Sequence, residues 1–257
     1  MNILFIGDIC GSSGRDAVFD KLYDIKQKYE VDVCIANCEN AAGGFGITLP
    51  IFEELERAGI DGFTTGNHVW SKKDIVKLFD DGFNIIRPAN LPKDDPGDGY
   101  MIFTAKNGEK IAVINIMGRV YIDMPLDNPF HCVDRILGEI GDRAKHILVD
   151  FHAEATSEKR AMGYFLDGRV SAVFGTHTHV QTADECILKG GTAYITDAGM
   201  TGPEESVLGV KKELAIAKFT SSQPVRFEAA EGKGMLCGVF VKTDEKGKAV
   251  KIERIRV

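Results

Sequence analysis

Short apolar runs alternate with amphipathic segments through the first half of the chain. The apolar runs predict β-strands, and they are NILFIG at 2–7, VDVCIAN at 31–37 and GFTTG at 62–66. The segments between them have helical periodicity near 15–29 and 50–58. This alternation predicts right-handed βαβ units, in which a sheet is covered by helices.

The pattern changes from about residue 100, where paired apolar runs are joined by turn-forming dipeptides. Three hairpins are predicted, around Asn107-Gly108, Gly190-Gly191 and Lys246-Gly247. Between them, 146–154 and 170–179 have the pattern of buried strands that end in polar residues. We therefore expect a mixed sheet in which parallel strands come early and antiparallel hairpins late.

The segment 87–100 is rich in Pro, Gly and Asp, which predicts a long loop. It is too short and too central in the pattern to separate two domains. The sequence contains no internal repeat, low-complexity tract or linker. We therefore expect one domain over residues 1–257.

The net charge of the chain limits the kinds of molecule that it is expected to bind. A net charge of -7 argues against a broad basic surface, so we expect no binding of extended duplex nucleic acid. Asp8 interrupts the first apolar run, which predicts neither a signal peptide nor a membrane anchor. The six cysteines form no CxxC pair, which is typical of reduced thiols in a cytoplasmic protein.

Metal-capable side chains follow five of the apolar runs. The carboxyl ends of strands in an open α/β sheet are where ligands bind, so these residues are expected to converge on one crevice. In chain order they are Asp8, Glu39 with Asn40, Asn67 with His68, His152, and His177 with His179.

Each of these residues also has an ordinary structural interpretation. Asp8 taken alone is typical of a turn or helix cap, Asn67 of a left-handed turn, and His152 of a half-buried histidine. However, four of the six histidines fall in this set, and only His131 and His146 lie outside it.

The ligand types suit a borderline divalent ion such as Mn, Fe, Zn or Co. Without His68, seven candidate ligands remain, which are too many for one ion but fit two ions that share a carboxylate. A mononuclear ion that only stabilises the fold is the alternative.

Five motifs resemble, in order and spacing, the calcineurin-like metallophosphoesterases, and more narrowly the bacterial YmdB group. They are GDICG at 7–11, NCEN at 37–40, GNH at 66–68, FHAE at 151–154 and GTHTH at 175–179. The stretches ENAAGGFGIT, TGNHVW, NIMGRV, FHAEATSEK and ITDAGMTGP extend the resemblance over nearly the whole length.

The resemblance implies an α/β fold, a four-layer α/β/β/α sandwich with mixed sheets, and a site for two transition-metal ions, Fe or Mn, with Zn as the alternative. By matching position, one ion is held by Asp8, Glu39, Asn40 and His179. The other is held by Glu39, Asn67, His152 and His177. The family's catalytic histidine corresponds to His68.

The sequence departs from the wider superfamily at the first motif. The usual D-x-H is D-I-C here, so an imidazole is lost and Asn40 is expected to replace it. Cys10 is a thiolate ligand in one interpretation and a small buried cysteine in the other, which we prefer. The glycine-rich loop 41–46 permits close approach to a ligand or is a flexible connection. We place Arg15 and Arg119 outside the site.

The expected activity is that of a metal-dependent phosphodiesterase. A metal-bridging hydroxide would attack phosphorus in line, and His68 would protonate the leaving oxygen. The resemblance points to 2',3'-cyclic nucleotides as substrates. Alternatives are a phosphomonoesterase or nuclease with the same metals, or a nucleotide-binding regulatory protein with little turnover. A homo-oligomer is also considered.

Overall fold

The structure is a computed structural model that describes residues 1–257. Two sheets carry the fold, and a short two-stranded pair lies apart from them. The strands are β1 (Asn2–Ile6), β2 (Val33–Asn37), β3 (Gly62–Thr64), β4 (Tyr100–Thr104), β5 (Lys110–Met117), β6 (His146–His152), β7 (Ala172–Thr176), β8 (Cys186–Ile187), β9 (Ala193–Ile195), β10 (Gly202–Pro203), β11 (Gly234–Met235), β12 (Cys237–Thr243) and β13 (Ala249–Arg256).

Six α-helices connect these strands. They are α1 (Gly11–Lys28), α2 (Leu49–Arg57), α3 (Asp74–Asp80), α4 (Pro129–Ile140), α5 (Thr156–Phe165) and α6 (Lys212–Thr220). The two helices predicted in the first half are present as α1 and α2, and α1 begins four residues earlier than expected. None of the helices combines the length and the apolar character needed to cross a bilayer.

The first sheet has the strand order β13-β12-β1-β2-β3, and the second has the order β4-β5-β6-β7-β9-β8. Within the first sheet β1, β2 and β3 are parallel, and within the second β5, β6, β7 and β9 are parallel. The three predicted hairpins are all present as antiparallel pairs at sheet edges.

The expectation that parallel strands come early and antiparallel hairpins late was therefore wrong in part, because β5, β6, β7 and β9 are parallel. One strand of each of the first two hairpins joins a parallel core, while the other strand lies at the edge. Helices α4 and α5, whose patterns were not recognised in the sequence, supply the crossovers that parallel pairing requires.

Alternating side chains of the strands pack into separate layers. On β1, Ile3 and Phe5 point to a core shared by both sheets, whereas Leu4 and Ile6 point to the core under α1 and α2. The Phe5 ring stacks on Phe174 of the second sheet with ring centroids 4.5 Å apart. A third core lies between the second sheet and helices α4 and α5. These layers form the predicted α/β/β/α sandwich, and the fold class is confirmed.

Candidate metal centre

The predicted site residues lie together where parallel strands of both sheets end. β1, β2 and β3 of the first sheet and β6 and β7 of the second place them there. Two groups have their ligand atoms within 4.8 Å of one another. The groups are Glu39, His152 and His177, and Asp8, Glu39 and His179. Glu39 belongs to both.

The first group is centred on the Nε2 atom of His152. Asn67 Oδ1 lies 2.9 Å from it, His177 Nδ1 3.1 Å and Glu39 Oε1 3.2 Å. Atoms that ligate one ion at about 2.0–2.2 Å are separated from each other by about 3 Å. The spacing of these four atoms therefore fits a shared cation.

The second group contains Asp8, Glu39 and His179, with Asn40 beside them. The Asn40 amide nitrogen donates to Glu39 Oε1 and to His179 Nε2, at 3.1 Å in both cases. Ligation by the Asn40 oxygen would therefore require rotation of its carboxamide. Asn40 thus lies beside the second group with its carboxamide oriented as a hydrogen-bond donor.

Each histidine in the two groups has one ring nitrogen in a polar contact that faces away from the cluster. His152 Nδ1 contacts Thr176 Oγ1 at 2.9 Å, His177 Nε2 contacts Glu154 at 3.1 Å, and His179 Nδ1 contacts the Leu208 carbonyl at 3.1 Å. Donation at these nitrogens leaves the inner nitrogen of each ring with a lone pair that faces the cluster. Metal-binding histidines are oriented in this way in proteins.

The charges of the two carboxylates also favour a cation. Burial raises the pKa of Asp8 to about 7, although His179 and His152 oppose that shift. Its Oδ1 atom is buried without a hydrogen-bond partner. Burial likewise raises the pKa of Glu39, but His152 and His68 outweigh it and bring the value down to about 2. An unpartnered carboxylate oxygen beside imidazole nitrogens fits a divalent metal ion.

The turn that carries His177 and His179 has an unusual backbone. Strand β7 ends at Thr176, and both histidines then have positive φ, 92° for His177 and 64° for His179. Residues with a Cβ rarely adopt this region, and they do so mostly where surrounding contacts enforce it. The His177 amide donates to Asp8 Oδ2 at 3.1 Å, which ties the turn to the end of β1.

His68 lies beside the two groups without belonging to either. Its amide donates to Glu39 Oε2 at 3.2 Å, and its ring packs edge-on against Phe45 with centroids 4.9 Å apart. Burial lowers its pKa, with Glu39 opposing the shift. The ring lines a cavity of about 370 Å³ whose wall also contains Glu39, His177 and His179. His68 is thus placed to act on a molecule bound at the cluster.

Gly66 must lack a side chain for the cluster to form. A Cβ at this position would overlap Glu39 Oε2 and the ring of His152. The close approach of the Gly66 backbone lets β3 present Asn67 and His68 directly against the residues that follow β2.

The family model for YmdB-like proteins matches residues 4–255. The chain belongs to the YmdB-like family. It is 51% identical over 258 residues to the 2',3'-cyclic-nucleotide 2'-phosphodiesterase of Bacillus subtilis, covering 100% of this chain and 97% of that protein. The resemblance predicted from the five motifs is confirmed.

Solved structures agree with this membership. A phosphatase of Mycoplasma pneumoniae superposes with a TM-score of 0.93 at 36% identity, covering 100% of this chain and 93% of that one. A hypothetical protein of Thermus thermophilus also gives 0.93 at 41% identity, covering 100% and 99%.

Three residues that were not predicted from the sequence, Asn37, Asp150 and Thr176, lie behind the candidate metal ligands of this YmdB-like chain. Asp150 is buried in β6, and its carboxylate accepts from the Thr176 hydroxyl at 2.6 Å and from Asn37 at 2.9 Å. Since the single Thr176 proton is donated to Asp150, Thr176 Oγ1 must accept from Nδ1 of His152. When the His152 ring is neutral, the series Asp150–Thr176–His152 therefore fixes the tautomer that leaves Nε2 free. The sequence contained one sign of this role, because Asp150 is a polar residue in an apolar strand and lies two positions before His152, on the same face.

A buried ion pair secures the turn that carries His177 and His179. Lys159 of α5, 1% exposed, donates to Asp197 Oδ2 at 2.8 Å and to the Thr178 hydroxyl at 3.1 Å. The Thr178 amide and hydroxyl both donate to the same Asp197 oxygen. Because Thr178 lies between the two histidines, this pair holds the strained turn in place.

The remaining candidates have other contacts. Burial raises the pKa of the Cys10 thiol to about 12, with Asp8 and Glu39 adding to the shift, which agrees with a buried cysteine. Arg15 donates to the Ala41 carbonyl at 2.7 Å and so attaches the loop 41–46 to α1. Arg119 is exposed and does not line the cavity.

Replacing Thr176 tests the Asp150–Thr176–His152 series. In Thr176→Val the His152 Nδ1–H has no acceptor, so the ring is no longer held with Nε2 toward Glu39. We expect Mn²⁺ to bind about 10–100-fold more weakly, as measured by titration calorimetry. Thr176→Ser keeps the hydroxyl and should bind as the unmodified protein does. Equal affinity in Thr176→Val and Thr176→Ser would contradict the role of the hydroxyl.

Proposed function

We propose that this chain is a metal-dependent phosphodiesterase that hydrolyses small 2',3'-cyclic nucleotides. The observation that carries the proposal is that two ligand groups share the Glu39 carboxylate at one wall of an open cavity. Two-metal sites of this kind serve phosphoryl transfer. The predicted class, phosphoric diester hydrolase, is also the class of the activity named for the Bacillus subtilis relative.

The metal ligands follow from the two groups. Asp8, Glu39, Asn40 and His179 would hold one ion, and Glu39, Asn67, His152 and His177 the other. The mixture of carboxylate, amide oxygen and imidazole favours Fe or Mn, with Zn as the alternative. When bound, such ions supply charge neutralisation at the phosphoryl oxygens and activate water near neutral pH.

The protein residues supply orientation and a proton. In the hydrolysis, water adds across the bond between phosphorus and the 2'-oxygen, so that phosphorus gains an oxygen and the 2'-oxygen must gain a proton. His68 lines the cavity beside Glu39 and is our donor for that oxygen. The Asp150–Thr176–His152 series and the Lys159–Asp197 pair hold the ligands in place.

Other functions would use the same ligands. A phosphomonoesterase or nuclease requires no different metal site, so the substrate must decide between them. A nucleotide-binding protein without turnover is less favoured, because a protein that has lost catalysis commonly loses ligands first and this sequence has all seven candidate side chains. A cytoplasmic location, a single domain over residues 1–257 and a homo-oligomer remain predictions.

Turnover measured together with metal content tests the proposal. With Mn²⁺ added, we expect about two ions per chain by elemental analysis and hydrolysis of 2',3'-cyclic AMP to a phosphomonoester. Bis-p-nitrophenyl phosphate should also be cleaved. Metal binding without hydrolysis of any diester or monoester would favour the nucleotide-binding alternative, and a single ion would favour a mononuclear structural site.

The His68→Ala variant tests the proton donor. It should keep both metal ions, because His68 belongs to neither ligand group, and should lose roughly 10²–10⁴-fold in kcat on the cyclic nucleotide. The loss should be smaller on bis-p-nitrophenyl phosphate, whose leaving group departs without protonation. Full activity on the cyclic nucleotide would show that His68 is not the donor.

A further inference from the structure

Two aromatic side chains line the cavity beside the metal-ligand cluster. Phe45 is 53% exposed and Phe227 is 49% exposed, although both border a cavity of about 370 Å³. A cavity of this volume lies at the lower end of the range for small-molecule sites. Large apolar rings that remain half in water at the wall of such a cavity are suited to cover an apolar ligand surface.

The two rings approach the cluster from different sides, Phe45 beside His68 and Phe227 in a segment next to the one that contacts His179. Phe45 contacts the His68 ring edge-on, as described above. Phe227 lies two residues before Ala229, whose backbone pairs with Val210, and the same turn supplies the Leu208 carbonyl that accepts from His179. The aromatic faces are therefore positioned relative to the residues that would hold the phosphate and protonate the leaving group.

The cavity also lacks cationic side chains. None of its 17 lining residues is Lys or Arg, whereas Glu154 and Glu228 are among them. A phosphate held at the cluster would be neutralised there by metal ions. Lys211 lies outside the lining and is paired with Glu228 at 2.6 Å. A second phosphate elsewhere in the cavity would face carboxylates and no unpaired cation of the lining, which is unfavourable when water is displaced.

On the basis of the proposed function, we propose that Phe45 and Phe227 form the nucleobase subsite of this phosphodiesterase, and that the cavity takes a nucleotide with a single phosphate. Stacking on these rings is the attraction, since every nucleobase has a π-face. Because stacking depends little on the identity of the base, we expect all four bases to be accepted.

The subsite is tested with two substrates that differ only in the base. One is 2',3'-cyclic AMP, and the other is 1-O-methylribose 2',3'-cyclic phosphate, which has the same phosphodiester and no base. We expect Phe227→Ala and Phe45→Leu each to lower kcat/KM about tenfold on 2',3'-cyclic AMP, mainly through KM. On the base-free substrate the unmodified protein and both variants should agree within about twofold. Leucine at position 45 keeps an apolar contact with His68.

The matched control is Phe219→Ala. Phe219 lies in α6, is 86% exposed and does not line the cavity. Its replacement should therefore leave kcat/KM unchanged on both substrates. A loss of equal size on both substrates, or no loss on either, would overturn the subsite. Failure of the unmodified protein to cleave either substrate with Mn²⁺ bound would instead overturn the proposed function.

The proposal that the cavity takes a nucleotide with a single phosphate is tested by comparing a cyclic mononucleotide with a cyclic dinucleotide. The unmodified protein should hydrolyse 2',3'-cyclic AMP at least tenfold more efficiently than a cyclic dinucleotide, whose second phosphate has no cationic partner in the cavity. Equal kcat/KM for the two would contradict this part of the proposal and would leave the base subsite to be judged by the phenylalanine variants.

Discussion

The structure depends most on the burial of one carboxylate, that of Glu39. It is 1% exposed, contacts Nε2 of His152 at 3.2 Å and accepts from the His68 amide. A buried charge costs several kcal/mol unless other charges or donors compensate for it. In the absence of a metal ion, a proton on His152 supplies part of this compensation, as the pKa of its ring shows: burial lowers it, but Glu39 and Asp8 outweigh burial and raise it to about 9. The cluster thus attracts positive charge to the position where the two ligand groups meet.

The two sheets explain how such a costly arrangement is maintained. Their shared core, which includes the stacked Phe5 and Phe174 rings, fixes the ends of the strands relative to each other. The strained turn after β7 is held by contacts on both sides, from Asp8 and from the Lys159–Asp197 pair. Because close-packed interiors resist deformation, we expect the candidate ligands other than the Asn40 carboxamide to be positioned before any metal binds.

Much of this was predictable from local patterns. Asp8, His152 and the residues like them directly follow apolar runs, and strand ends of parallel sheets meet at one edge, so their convergence could be inferred. Asp150 and Lys159 could not be identified in the same way, because they lie within a strand and a helix and act only through tertiary contacts. The same applies to Phe227, which no periodic pattern places near the cavity. The parallel core of the second sheet was missed because its crossover helices were not recognised.

The most direct measurement of the central claim is anomalous X-ray scattering from crystals grown with Mn²⁺. We expect two peaks about 3.5–4 Å apart, with the Glu39 carboxylate between them. One peak would be close to Asp8 and His179, and the other close to His152 and His177. A single peak, or two peaks of which only one contacts Glu39, would contradict the shared carboxylate on which the proposed activity rests.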